Sequence, residues 1–281
     1  MTSDTLLRFI FSDKQVRGQW LHLSDSLQQM LQNHDYPLAV KQLLAELVVA
    51  TSLLTATLKF EGEIAVQLQG DGPVRFAAVN GNHKQQFRGV VRLQSELQGD
   101  SFRQLIGEGY LLVTISPEQG ERYQGIIPLA GDSLTETLEA YFTQSEQLPT
   151  RLYLHTDVQD NTIAGGMLLQ VLPVDPAKAK LDFDDLVVLT NTLTKDELLQ
   201  LPAEQLLYRL YHEQQVEVFP TQPVSFFCGC SWQKCENAIV SLGKEVISEH
   251  IDSGQLDITC EYCNKVYQFN ADDLTQIVAR L

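Results

Sequence analysis

Cys228-Gly-Cys230-Ser-Trp-Gln-Lys-Cys235 and, further on, Cys260-Glu-Tyr-Cys263 carry every cysteine of the chain; none lies in the first 227 residues. An odd number of thiols, crowded into one stretch, argues against a static disulfide framework and for metal or redox chemistry. Two close pairs separated by residues 231–259, an insert of ββα size, match a four-thiolate zinc site. Each pair supplies two sulfurs from one tight turn, and tetrahedral zinc takes four of them at about 2.3 Å. The spacing therefore predicts Cys228, Cys230, Cys260 and Cys263 as ligands of one zinc ion per chain. Cys235 can stand in for Cys228 or Cys230, but paired turns favour the other four and leave it an unligated thiol beside the site. After the second pair, Val266, Tyr267 and Phe269 suggest a strand and Asp272–Leu281 a final helix. So short a segment has a thin core, and structural zinc supplies roughly 10–16 kcal/mol of folding energy in small peptides.

A structural zinc ribbon is the plain reading of this constellation. One feature favours a redox role. A disulfide within Cys-x-Cys closes a small, strained ring, and strained disulfides are labile and regulatory. Zinc keeps all four sulfurs as thiolates, the oxidisable form. Oxidation to two disulfides removes the negative charge that holds the metal, and its folding energy goes with it.

Outward from the cysteines, the chain changes texture at Pro173. Asp175-Pro-Ala-Lys-Ala-Lys180 has the composition of a linker, and amphipathic helical segments follow. Leu181, Phe183, Leu186, Val187 and Leu189 form one apolar set; Leu206, Leu207, Leu210 and Tyr211 form another on one helix face. Such helices must dock on something. They are either plain core helices or a detachable cover over an apolar surface, and pattern alone favours the first.

The residues before Pro173 read as α+β. Strands are expected at Leu6–Phe11, Val16–Leu23, Glu61–Gln69, Val74–Val79, Phe87–Leu93, Tyr110–Ser116, Tyr123–Leu129, Arg151–Thr156 and Ile163–Leu172, continuing one mixed sheet. Helices are expected at Asp25–Asn33, capped by Ser24, at Leu38–Leu58 and at Leu134–Phe142. Asn80-Gly81 is a hairpin signal, and Gly165-Gly166 marks a bulge or a close backbone approach. The expected organisation is an N-terminal core domain (1–174), a helical linker (175–222) and a C-terminal zinc domain (223–281).

The 281 residues carry a formal net charge of −16, which repels phosphate backbones and disfavours a nucleic-acid partner. Met1-Thr-Ser-Asp4 does not open a secretory signal. The longest apolar run, Leu47–Leu58 between Glu46 and Lys59, falls short of the roughly 18 residues a membrane span takes. A soluble, cytoplasmic setting without membrane contact is the expectation. No phosphate-binding glycine loop is present: G-x-x-x-x-G-K-[ST] is missing, and Gly70-Asp-Gly72 lacks the third glycine of G-x-G-x-x-G. H-E-x-x-H and G-x-S-x-G are missing too. His212 and His250 read as surface residues rather than a fifth ligand.

The cysteine stretch, together with His34-Asp-Tyr-Pro37, Glu46–Phe60, Gln67-Leu-Gln-Gly-Asp-Gly-Pro73, Gly120-Glu-Arg-Tyr-Gln-Gly125, Ser145-Glu-Gln-Leu-Pro-Thr150, Ala164-Gly-Gly-Met-Leu-Leu-Gln170 and Arg209-Leu-Tyr-His-Glu213, resembles the redox-regulated holdase chaperones of the bacterial heat shock protein 33 family. The resemblance spans nearly the whole chain. It implies that the family's zinc ligands fall on Cys228, Cys230, Cys260 and Cys263, and that Cys235 is a non-ligand. Under oxidative stress, it further implies, the disulfides Cys228–Cys230 and Cys260–Cys263 form, zinc is released and the linker unfolds. The apolar surface so exposed would let the protein form a homodimer and hold unfolding client proteins without ATP or any nucleotide. No enzymatic activity is implied.

Two rivals remain. A disulfide oxidoreductase would use Cys260-Glu-Tyr-Cys263, but that motif normally opens a helix after a strand, and here a second cysteine pair stands ready to take a metal. A zinc-ribbon nucleic-acid module would need a basic patch. Between Cys228 and Cys263 only Lys234 and Lys244 stand against Glu236, Glu245, Glu249, Asp252, Asp257 and Glu261.

Overall fold

Apolar–polar alternation makes strands of much of the N-terminal sequence, and a helix buried all round needs apolar residues on every face. The computed structural model describes residues 4–58, 61–129, 131–172 and 176–281 and resolves two units, Met1–Phe226 and Phe227–Leu281. Met1–Ser3, Lys59, Phe60, Pro173 and Asp175, which enter the sequence analysis, lie outside the described residues.

The first unit runs β1 (Thr5–Phe11), β2 (Val16–Leu23), α1 (Asp25–Leu31), α2 (Leu38–Thr55), β3 (Gly62–Gly70), β4 (Val74–Asn82), β5 (Gln86–Leu93), α3 (Phe102–Ile106), β6 (Gly109–Pro117), β7 (Tyr123–Pro128), α4 (Leu134–Tyr141), β8 (Thr150–Asp157) and β9 (Ile163–Val171). It continues through α5 (Pro176–Thr190), α6 (Lys195–Gln200), α7 (Ala203–Tyr211), β10 (Val216–Val218), β11 (Gln222–Pro223) and β12 (Ser225–Phe226). The fold is α+β. The strands expected to continue one sheet divide into two, in the orders β10-β1-β2-β9-β8 (with β11 also on β1) and β12-β5-β4-β3-β6-β7. Their pairings are antiparallel except β12 on β5.

The division follows from α2, which packs on strands of both sheets. Val40, Leu44, Leu47, Val49 and Leu53 on its different faces are all buried, as are Thr51 and Ser52. By length and composition this is the kind of helix that could cross a membrane, yet 78% of it is buried inside the fold. Its threonines bond back to carbonyls four residues earlier, Thr51 to Leu47 and Thr55 to Thr51, so their hydroxyls cost nothing in the core. Gly166 allows the close approach read from Gly165-Gly166. A Cβ there would stand 2.4 Å from Val49 Cγ1 of α2.

The β1–β2–β9 sheet is apolar on both faces. Leu21, Leu23 and Leu168 join the core around α2, while Leu7, Phe9, Phe11, Trp20, Met167 and Leu169 face the other way. That outer face is covered by α5–α7, through Phe183, Leu186, Leu198, Leu206, Leu207, Leu210 and Tyr211. Both apolar sets read in this segment dock here, except Leu181, which stays 71% exposed.

Two local readings change. Ser24 precedes α1 but its side chain makes no cap; it and Ser26 bond to the buried Asp4 instead. Asn80-Gly81 lies inside β4 and not at the hairpin, because Gly81 is needed where the Phe87 ring crosses the strand; the turn comes at His83–Gln85. The insert between the cysteine pairs, of ββα size, holds two helices and a strand: α8 (Trp232–Val240), α9 (Lys244–Ser253) and β13 (Gln255–Thr259), followed by β14 (Val266–Asn270) and α10 (Ala271–Val278).

Candidate metal centre

Two turns build the site in the second unit. In the first, Gly229 has φ 66°, a left-handed conformation that glycine adopts without penalty, and the chain reverses between Cys228 and Cys230. Ser231 then caps α8, its hydroxyl accepting from Lys234 N, and Lys234 Nζ donates to the Gly229 carbonyl at 2.7 Å. The second turn closes the β13–β14 hairpin: Cys260 N donates to Lys265 O at 2.9 Å and Asn264 N to Cys260 O at 2.8 Å. Asn264 takes the left-handed position, φ 54°, where asparagine is tolerated.

The turns bring four sulfurs together. Those of Cys228, Cys230, Cys260 and Cys263 lie within 4.8 Å of one another, half-buried and unbridged. Cys228 and Cys260 are 3.4 Å apart, Cys230 and Cys263 3.6 Å. Ligands at about 2.3 Å from a tetrahedral centre stand about 3.8 Å apart, so the donor set fits zinc. Both of these contacts run from one turn to the other, so proximity does not select the pairs within each turn. Cys235 stays outside the group, buried on α8 beside Ile239, Ile247 and Phe269. Burial and the nearby Cys230 and Cys260 push its thiol up.

Charge explains why such a cluster wants a cation. Burial pushes the Cys228 and Cys263 thiols up. At Cys230 burial acts the same way but is outweighed by hydrogen bonds, first from the Tyr267 hydroxyl, which draw it down to about 7. Tyr267 Oη donates to Cys230 Sγ at 3.1 Å. In sequence Tyr267 reads only as part of a strand, and a strand pattern does not report its hydroxyl's partner. Four touching sulfurs cannot all ionise in water alone, and a dication offsets their repulsion.

A second group, Glu61, His83 and Glu118, also draws its ligand atoms within 4.8 Å. His83 Nδ1, however, accepts the Gly62 N–H at 3.1 Å, which places the ring proton on Nε2 and leaves neither nitrogen free for a metal.

Comparison with known proteins agrees over nearly the whole chain. The family described as Hsp33 protein matches residues 4–270. The 33 kDa chaperonin of Serratia proteamaculans is 51% identical over 277 residues, 98% of this chain and 94% of that protein. Its Escherichia coli counterpart is 52% identical over the same length. The crystal structure of the Thermotoga maritima 33 kDa chaperonin superposes with a TM-score of 0.85 over 99% of this chain and 98% of that one, at 21% identity, which speaks for the fold. The chain, with its two-sheet core and C-terminal cysteine cluster, belongs to the Hsp33 family.

Proposed function

We propose that the chain is a redox-regulated, ATP-independent holdase chaperone whose switch is the four-cysteine cluster. The observation that carries the reading is the gathering of Cys228, Cys230, Cys260 and Cys263 within 4.8 Å. When bound, one zinc ion per chain supplies folding energy and holds the sulfurs as thiolates. Each disulfide, Cys228–Cys230 and Cys260–Cys263, forms as two thiolates give two electrons to hydrogen peroxide, whose O–O bond breaks and which takes two protons from solvent to leave as two water molecules. The paired sulfurs have lost the charge that holds the metal, and the 223–281 domain loses its staple.

The 1–174 domain binds clients and forms the homodimer, and the 175–222 linker is the detachable cover. Its support is the apolar outer face of the β1–β2–β9 sheet, which Phe9, Phe11, Trp20 and Met167 would offer to an unfolding chain once α5–α7 left. Exposed apolar patches of several hundred Å² mark interaction sites. The seam is imperfect: Trp20 Nε1 and Asp182 Oδ2 are buried there without a hydrogen-bond partner. Buried unpartnered groups cost about 1–3 kcal/mol each, which favours a cover that can lift. The net charge of −16 keeps the uncovered form soluble. A cytoplasmic setting suits thiols that must start reduced.

Light scattering from a heat-unfolding client, with the protein added either reduced and zinc-loaded or oxidised, tests the reading. Suppression of aggregation by the oxidised form alone, reversed by reductant and zinc, is expected. Equal suppression by both forms would end redox control, and catalytic disulfide turnover with zinc retained would favour an oxidoreductase at Cys260–Cys263.

A further inference from the structure

Four of the segments through which the chain resembles its family meet far along the sequence from the cysteines and have no part in the switch. Leu54, Thr57 and Leu58 at the end of α2, Tyr123 on β7, Ser145 and Leu148 after α4, and Gln170 on β9 surround one cleft of about 660 Å³. This is the size of a small-molecule site, and its walls are mostly apolar, among them Ile64, Val113, Ile115 and Phe142. It opens within the first unit, where strands of both sheets flank the end of α2.

One cation lines it. Arg17 sits opposite Gln170 in the β2–β9 register. The Gln170 side chain is 1% exposed and held in place, its Nε2 donating to Thr150 Oγ1 at 2.8 Å. Its Oε1 accepts from Arg17 Nε at 3.1 Å and from Nη2, while Arg17 Nη1 reaches the Thr57 carbonyl at 3.4 Å. A guanidinium carries five N–H donors, so one on each terminal nitrogen is left over. Among the described residues no carboxylate is ion-paired with Arg17, and burial lowers its affinity for its own proton. A half-desolvated cation without a counter-ion favours an incoming anion. The wall facing it is irregular: Phe142–Glu146 forms a π-helical turn and Gln147 takes φ 53°. Such turns recur at functional sites. Glu121 also borders the cleft but is exposed, where water screens it.

We propose that this cleft binds a hydrocarbon-chain carboxylate, the chain lying between Val113, Ile115 and Phe142 and the head group on the two spare N–H donors of Arg17. Apolar walls exclude a compact, strongly hydrated anion such as phosphate, and the guanidinium selects a carboxylate over an alcohol or an ammonium head.

Equilibrium dialysis of the full-length, reduced, zinc-loaded protein with radiolabelled dodecanoate, below its micellar concentration, tests this. Saturation at about one molecule per chain is expected, with Arg17→Gln weakening it roughly 10–100-fold, the usual worth of a charge-assisted hydrogen-bonded pair. Dodecanol should bind more weakly than dodecanoate and be indifferent to Arg17→Gln. Ile115→Trp, which leaves Arg17 in place and fills the cleft, should abolish binding of both. Circular dichroism of each variant confirms that it is folded. Absence of binding, unsaturable uptake of many molecules, dodecanol binding as tightly as dodecanoate, or binding unmoved by both substitutions would each overturn the proposal.

Discussion

The two units solve the same problem with different means. In Met1–Phe226 a central helix and two sheets bury a continuous core on both sides of the β1–β2–β9 sheet. In Phe227–Leu281 the buried cluster has seven side chains, one of them Cys235 and another Tyr267, whose hydroxyl is spent on Cys230. Chains this short rarely hold together on apolar burial alone and use disulfides or metals as staples. The difference teaches where a switch can be placed: a unit that depends on a few bonds can be undone by chemistry at those bonds, whereas the larger core has no such handle.

The comparison breaks most visibly on metal removal. With zinc held as proposed, chelation under reducing conditions would withdraw roughly 10–16 kcal/mol and should strip amide-exchange protection from Phe227–Leu281 while Leu38–Thr55 stays protected. Protection that persists in the small unit without metal would show that its seven-residue core suffices.

Phe269→Ala is the next largest effect. The ring is fully buried and lies 4.1 Å from the Trp232 ring, centroid to centroid. Truncation should cost about 3–5 kcal/mol. Followed by Trp232 fluorescence in a Trp20→Phe background, urea should unfold the small unit early. Phe11→Ala, with a comparable loss, should lower the main transition without abolishing it. Equal shifts of both units in either variant would mean that they unfold together.

Tyr267→Phe removes the hydroxyl that Cys230 accepts from and leaves the ring in the core. Partners that orient a metal ligand are worth about 10–100-fold in affinity, so competition with a chromophoric chelator should show zinc held that much less tightly. An unchanged affinity would assign the hydroxyl no part in the site.

The last effect belongs to the large unit and depends on pH. Burial raises the Glu46 carboxyl from its ordinary value of 4.5 to about 7. Folding therefore favours its neutral form; that contribution is complete below about 4.5 and is lost as the pH rises through about 7. Glu46→Gln should raise the melting temperature by roughly 7–13 °C at pH ~8, the equivalent of about 3 kcal/mol, and leave it unchanged at pH ~4. A gain of equal size at both pH values would place the effect in packing instead of ionisation.

Strand alternation and the all-round apolar character of Leu38–Thr55 were legible without coordinates, because periodicity and burial are imprinted residue by residue. The short strands β10–β12 were not, since a two- or three-residue strand carries no period and exists only by pairing with β1 or β5. Nor was Arg17 legible as a cleft residue: its partners are Thr57 and Gln170, 40 and 153 positions away.

The sequence by itself determined the α+β class, the clustering of Cys228, Cys230, Cys260 and Cys263 into two pairs, and the family, because motif spacing and local periodicity are one-dimensional properties. Only the tertiary structure decided that the strands form two sheets, that α5–α7 cover one apolar face, that Cys235 stands apart from the other sulfurs, and that Arg17 borders an apolar cleft. Those outcomes depend on which surfaces meet when residues far apart in sequence pack, and long-range packing leaves no local pattern to read.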